Sequence, residues 1–403
     1  MLINISKMLS GNFFKIIIQS ILFLLLAKYL GVNEFGLFSI CIALAGLFAA
    51  FDAIGVGSVL LKDISRSRRV FELRVATVIF VYFVTSIFLI LAYILVFSLL
   101  FDNISLLAIF NFAVSELFFQ SFIYLKNQIY QGLNKFNFIV YNNVGLSLMR
   151  LLGVFFVGWL CNYNLNLEQV SSVFVIASGL WFLISSISFV RIIELRWNIR
   201  LNLAFLMLKQ GIHFSLSKLS AIGNSESDKV MLGQLKGEFE AGIYSVSVRL
   251  INMIMVPVNT VFSVTMPKYF LHGKNGILSN YNFSTTFVPY LLLYASLCFL
   301  LLMNFSNYIP IILGESYAYV ENSLKYLALV PVIKIISTAM ADSLTGAGYQ
   351  AKRSKIQIAA LFVNIITNII LIKKLSWLGA IFSLYISELF LIISYAILTK
   401  KLK

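Results

Sequence analysis

Apolar residues run along this chain in blocks of about twenty, separated by short polar connections, from near the N-terminus to the last residues. A helix needs about 20 mostly apolar residues to cross a bilayer. Blocks of that length are centred near residues 20, 48, 87, 115, 149, 181, 219, 253, 294, 335, 363 and 387, which predicts twelve membrane-spanning helices. The connections leave no room for a soluble domain. The first block stays apolar to Leu30 without a small-residue cleavage site, so it reads as a span and not as a signal peptide.

Polar positions punctuate this pattern in a repeating way. The stretch from Ser227 to Leu250, SDKVMLGQLKGEFEAGIYSVSVRL, predicts a helix over 206–232, a turn over 233–241 and a second helix over 242–266 that carries Arg249 near its start. The result is a helical hairpin with charges at its tip. Earlier in the chain, KYLGVNEFGLFS at Lys28 to Ser39 has the same order of features, with Gly36 to Ser39 opening a helix as Gly242 to Ser245 does. Gly36 and Gly242 are 206 positions apart, and the polar turns around Gly132 and Gly346 are 214 apart. The chain therefore reads as two similar halves in tandem, residues 1–200 and 201–403.

Several spans carry polar residues at helical spacing. Lys15 and Gln19 share a face of span one, and span two holds Asp52 ahead of Gly55 and Gly57. Lys15 either snorkels to the headgroups or faces a cavity, and Asp52 either pairs with the basic loop that follows or serves transport. Span four carries Glu116, Gln120, Tyr124 and Asn127; span five carries Asn143, Ser147 and Arg150. An ionised group at mid-membrane costs roughly 2.5 to 3.5 kcal/mol on insertion scales, so Glu116 and Arg150 are expected to pair. Spans three and six are apolar almost throughout and read as walls against lipid. Span seven places Ser217, Ala221, Asn224 and Asp228 on one face and Gly211, Ser215, Lys218 and Ile222 on the next. Span eight adds Ser245, Arg249, Asn252, Asn259 and Ser263, with Pro257 placed to kink it. These two helices are expected to line an aqueous space. Later spans hold Lys334, Ser337, Thr338 and Asp342, then Gln357, Asn364 and Asn368, then Glu388. The basic connection from Arg191 to Lys209 reads as an interfacial helix.

Composition agrees: 60% of residues are hydrophobic and 12% charged, where a soluble globule has roughly a quarter charged. The net charge of +15 is concentrated in alternate connections: around Lys62 to Arg74, at Lys126 and Lys135, Arg191 to Arg200, Lys268 and Lys274, Lys352 to Lys355, and the tail. By the positive-inside rule these connections and both termini are cytoplasmic, Lys373 and Lys374 being the exception. The charge thus reports topology and attraction to membrane lipid, and no basic run points to nucleic acid. Three cysteines without CxxC spacing and two histidines suggest neither a disulfide framework nor a metal site, and no cofactor motif is present.

The hairpin SDKVMLGQLKGEFEAGIYSVSVR resembles the characteristic segment of the polysaccharide-biosynthesis flippases, the Wzx-type branch of the multidrug/oligosaccharidyl-lipid/polysaccharide exporter superfamily. Asp228, Lys229, Leu232, Gly233, Gly242, Tyr244, Ser245 and Arg249 carry the likeness, and LGVNEFGLFS at Leu30 to Ser39 matches the first outer turn. The resemblance implies an all-α integral membrane protein with two six-helix lobes around a central cavity. It implies a flippase for an undecaprenyl-pyrophosphate-linked oligosaccharide in a bacterial inner membrane, working by alternating access on an ion gradient, without catalysis. Expected partners are that lipid-linked oligosaccharide, membrane lipid, and the polymerase and chain-length regulator that handle the same sugars.

Cations suit a pyrophosphate, whose charge is costly to desolvate unmet. Arg249 leads the candidates for the substrate site, followed by Lys218, Lys15 and Lys334, with Asn224 and Asn252 for the sugar. Asp52 and Asp342 are the candidates for ion coupling, and pairing of Arg249 with Asp228 or another acid is the structural alternative for that arginine. Two rival functions stay open. A drug or cation antiporter of the same superfamily would want more carboxylates, and a membrane polymerase would want a catalytic outer loop, where 306–323 offers only Glu315 and Glu321.

Overall fold

The computed structural model describes residues 2–66, 70–101, 104–133, 135–192 and 199–402. Helices dominate, and there is no strand among the described residues. The first eight are α1 (Leu2–Ala49), α2 (Val56–Arg66), α3 (Val70–Leu100), α4 (Leu106–Ala113), α5 (Ser121–Gly132), α6 (Phe136–Leu160), α7 (Leu167–Ile192) and α8 (Leu201–Lys236). They are followed by α9 (Glu238–His272), α10 (Ile277–Ser284), α11 (Val288–Phe305), α12 (Tyr308–Leu313), α13 (Ala318–Leu327), α14 (Val330–Gly346), α15 (Gln350–Leu375) and α16 (Trp377–Leu402). A π-helical turn, Val114–Gln120, joins α4 to α5.

Among the described residues nine helices are long and apolar enough to cross a membrane, or ten if the bent pair Glu315–Leu327 and Val330–Gly346 counts as one span. One of the nine, Phe14–Leu61, is 48 residues long and holds a non-helical break at Gly31. A twelve-span reading divides that stretch in two and adds α8, which has the length but is too polar to qualify by composition. Large apolar side chains stand exposed along these helices, among them Phe88 at 68%, Leu99 and Ile311, as expected where the solvent is lipid.

Contacts divide the chain into two compact units, residues 1–222 and 223–403, so the division falls inside α8 and not at the expected residue 200. In the first unit a core of Val56, Leu60, Val78, Tyr82, Phe122, Ile129 and Phe189 holds α2, α3, α5 and α7 together. In the second, Met255, Val258, Phe262, Leu291 and Ile335 join α9, α11 and α14.

Three expectations are corrected. The predicted nine-residue turn over 233–241 shrinks to Gly237, whose φ of 97° and ψ of 178° separate α8 from α9. Gly31 breaks α1 with φ 70° and ψ 174°, a conformation open in practice to glycine alone. Gly31 and Gly237 are themselves 206 positions apart, so the internal register coincides with a repeated backbone break. The separate interfacial helix is the second correction: 193–198 lie outside the described residues, and from Leu201 the segment is the first part of α8. Third, Lys126 is not in a cytoplasmic connection. Helix α5 runs on to Gly132, which leaves Lys126 in mid-helix and 0% exposed. Of the other basic connection residues, Arg68, Arg69, Arg196 and Lys403 lie outside the described residues.

Candidate transport site

Helix α1 ends at Ala49, and the chain then makes a short turn, Asp52–Gly55, before α2. Ala53, Ile54 and Gly55 all adopt positive φ, of 44°, 46° and 71°. Two consecutive non-glycine residues in that region store strain that the surroundings must hold. Gly55 and Gly211 do so by close backbone approach, since a Cβ on either would run into the other's stretch of chain. This contact brings the break in α1–α2 against α8.

Beside it lies a cavity of about 290 Å³ lined by Asp52, Ser58, Tyr124, Gln128, Ser215 and Lys218. Lys218 Nζ donates a 2.7 Å hydrogen bond to the Ala49 carbonyl oxygen and sits 4.5 Å from the centre of the Tyr124 ring. Its charge also acts on the Asp52 carboxyl. Gln128 Nε2 donates to Ser58 Oγ at 3.0 Å. The fold thus brings together Asp52 and Lys218, which the sequence puts 166 positions apart and which were expected to serve ion and substrate separately.

A second charged cluster in this unit is buried. Arg150 and Glu116 form an ion pair of 2.7 Å, both side chains nearly buried. Arg150 also donates to Ser115 Oγ, Ser178 Oγ and Gln120 Oε1, and Gln120 Nε2 donates to Glu116 Oε2 at 2.5 Å. The π-helical turn carries Glu116 and Gln120, so the expected pairing of spans four and five is present, with α7 joining it through Ser178. Lys126 is held by hydroxyls and rings: Nζ donates to Ser185 Oγ at 2.5 Å and lies against the rings of Phe122 and Phe182. Lys15, half-buried on α1, belongs to this unit and is not among the residues that line the cavity.

In the second unit Asp228 is 1% exposed and accepts from Tyr244 Oη at 2.7 Å and Asn368 Nδ2 at 2.6 Å. Asn364 Oδ1 accepts from both Ser227 and Asn368, which ties α8, α9 and α15 together. Arg249 is half-buried, and one acid whose charge acts on it is Glu226, itself bonded to Lys229 at 2.6 Å. Asp228, the acid considered as Arg249's partner, is instead claimed by Tyr244 and Asn368. The polar stripe on α9 runs from buried Ser245 through half-buried Arg249 to exposed Asn252, Asn259 and Ser263. Asn224 is half-buried, as is Lys334, whose charge reaches Asp228. The side chains of Ser217 and Ala221 lie outside those described.

Asp342 is taken up by Arg353, Nη1 to Oδ1 3.2 Å, and Arg353 also donates to Thr345 at 2.7 Å. That pair closes the turn between α14 and α15. Glu388 accepts from Ser337 at 2.7 Å and links α16 to α14. None of these arrangements sets a nucleophile against a base. What they supply are buried or half-buried cations, four carboxylates held by hydrogen bonds or ion pairs, and a polar cavity beside Asp52.

A profile of the family described as "Polysaccharide biosynthesis protein" matches residues 1–270. The chain belongs to the polysaccharide biosynthesis protein family. No curated protein matches it in sequence. Among solved structures this family member is similar to "Lipid II flippase MurJ, inward closed conformation", with a TM-score of 0.79 and 16% identity over 97% of this chain and 86% of the other. It is also similar to an inward-facing multidrug-resistance MATE transporter of the MOP superfamily, TM-score 0.74 and 13% identity, each chain 95% covered. A third likeness is to the MATE multidrug transporter DinF-BH, TM-score 0.67 and 16% identity, covering 99% of this chain and 94% of that one. At these identities the likeness is one of fold: an all-α, multi-pass membrane protein built as the MOP-superfamily transporters are.

Proposed function

We propose that this protein is a flippase that moves an undecaprenyl-pyrophosphate-linked oligosaccharide from the cytoplasmic to the outer face of a bacterial inner membrane, by alternating access and with ion coupling. The observation that carries the reading is the conjunction of a polysaccharide-biosynthesis family match with the fold of a transporter superfamily that includes a lipid II flippase. Both termini are cytoplasmic in this reading. Arg249 is the lead residue for the pyrophosphate, because its planar fork of donors fits phosphate oxygens that lysine meets only as a point charge. Lys334 and Lys15 add positive charge along the route, and Asn224 and Asn252 supply amide groups for sugar hydroxyls. Asp52, with Lys218 beside it, is the coupling carboxylate; Asp342 is already engaged by Arg353.

The likeness to MATE transporters favours a second reading, a drug or cation antiporter. Its cargo is cationic and would be repelled by Arg249, Lys334 and Lys218. A polymerase would need an acid and a base in an outer segment, where Glu321 is already paired with Lys325 at 2.6 Å.

Deletion of the gene separates the three. Accumulation of the lipid-linked repeat unit on the cytoplasmic face supports the flippase. Flipped but unpolymerised units point to a polymerase, and unchanged lipid-linked sugars with drug sensitivity point to the antiporter.

A further inference from the structure

The cavity beside Asp52 is built at the C-terminal end of α1, where carbonyl oxygens lack helical partners and the helix dipole is negative. Backbone N–H groups of Ala50 and Phe51 take the Leu47 and Phe48 carbonyls, and the Ala49 carbonyl accepts from Lys218. Next to it stand the Asp52 carboxyl and the face of the Tyr124 ring. A carbonyl, a carboxylate and an aromatic face are the ligands that proteins offer a monovalent cation. Lys218 meets the carbonyl and the ring, shares the cavity with the carboxylate, and is the one cation among the residues that line it. Ser215, 1% exposed, lines the same cavity with a hydroxyl that has no hydrogen-bond partner among the described residues.

We infer that this is a monovalent-cation site whose occupant is tethered: the Lys218 ammonium stands where a free sodium ion would bind, held by the Ala49 carbonyl and the Tyr124 ring in the cavity that Asp52 lines. Two consequences follow. With Lys218 in place the cavity excludes sodium, so its carboxylate is neutralised from within the chain. With the lysine shortened, the negative end of α1 and Asp52 are left uncovered, and a sodium ion with its remaining waters enters, Ser215 adding an oxygen. The naming of this cavity as the coupling site rests on the function proposed above; the cation site itself does not.

The test is thermal unfolding of the purified full-length protein at constant ionic strength, with sodium chloride exchanged for choline chloride. Lys218→Ala should gain a sodium-specific rise in Tm of about 2–4 °C over whatever rise the unaltered protein shows. Methylammonium chloride should raise the Tm of the same variant, since it restores the lost ammonium. Adding Asp52→Asn should abolish both increments. Lys218→Met, which fills the space with an apolar chain, should gain neither, and it serves as the folded control. An equal sodium response in Lys218→Ala and the unaltered protein would overturn the proposal, as would an increment that survives Asp52→Asn. Failure of the deletion test with a positive sodium response would leave the cation site standing and remove the flippase reading instead.

Discussion

Two combinations of an acid with a cation in the first unit are built in opposite ways. Glu116 and Arg150 sit in a buried cluster where Ser115, Ser178 and Gln120 add further hydrogen bonds. Asp52 and Lys218 share a 290 Å³ cavity, and the strained turn that carries Asp52 is held by the Gly55 and Gly211 contact. A buried ion pair in which every lone pair is met fixes helices in place and has little freedom to exchange partners. A carboxylate and a cation beside an open volume are free to change partners or to exchange a proton. The contrast assigns structure to the first and function to the second, although each is one carboxylate and one cation.

The largest effect expected from breaking this comparison is at Arg150. Arg150→Met leaves Glu116 buried without its counter-ion and should destabilise the protein by about 3–5 kcal/mol, read as loss of folded, monodisperse protein in detergent. Adding Glu116→Met should recover most of the loss. No recovery would mean that the cluster does more than hold helices. Next comes the clasp in the second unit, where Tyr244→Phe removes a hydrogen bond to the Asp228 carboxylate and should cost about 1.5–3 kcal/mol by thermal unfolding.

Lys218→Met sharpens the contrast from the other side. It forfeits one hydrogen bond and a ring contact, about 1–2 kcal/mol, yet export of the lipid-linked sugar should fall about tenfold at normal protein levels. Equal losses of stability and export there would make the cavity structural too. The smallest effect belongs to Asp342→Asn. Its pair with Arg353 is partly exposed, so stability should change by less than about 1 kcal/mol and export by less than about twofold.

Some of this was legible in the sequence. Glu116 and Arg150 stand on polar stripes of adjacent spans, and the cost of an isolated charge in lipid was enough to predict their meeting. The 206-residue register was legible from Gly36 and Gly242, and the breaks at Gly31 and Gly237 keep to it. Other features were hidden. Nothing in the pattern around Asp52 signals that Ala53 and Ile54 turn left-handed, because neither residue type favours that conformation. The meeting of Asp52 with Lys218 depends on that turn and on two distant glycines whose missing Cβ atoms permit contact. Lys126 misled in the other direction. A lysine near a predicted loop reads as a topology signal, but Ser185, Ser186 and two phenylalanine rings on other turns provide it with a buried niche. The hairpin tip was read as too long because Glu238 and Glu240 resemble a loop, whereas acids in the first turn of α9 stabilise that helix end.

Transport itself is measured most directly with the purified protein in sealed vesicles of one orientation, using a fluorescent undecaprenyl-pyrophosphate oligosaccharide and an impermeant quencher under an imposed proton or sodium gradient. The unaltered protein should carry the label across, and Arg249→Lys, folded and inserted to the same extent, should lose most of that activity. Label that stays on its original face with folded protein and a gradient present would contradict the flippase reading, and full activity in Arg249→Lys would remove that arginine from the pyrophosphate.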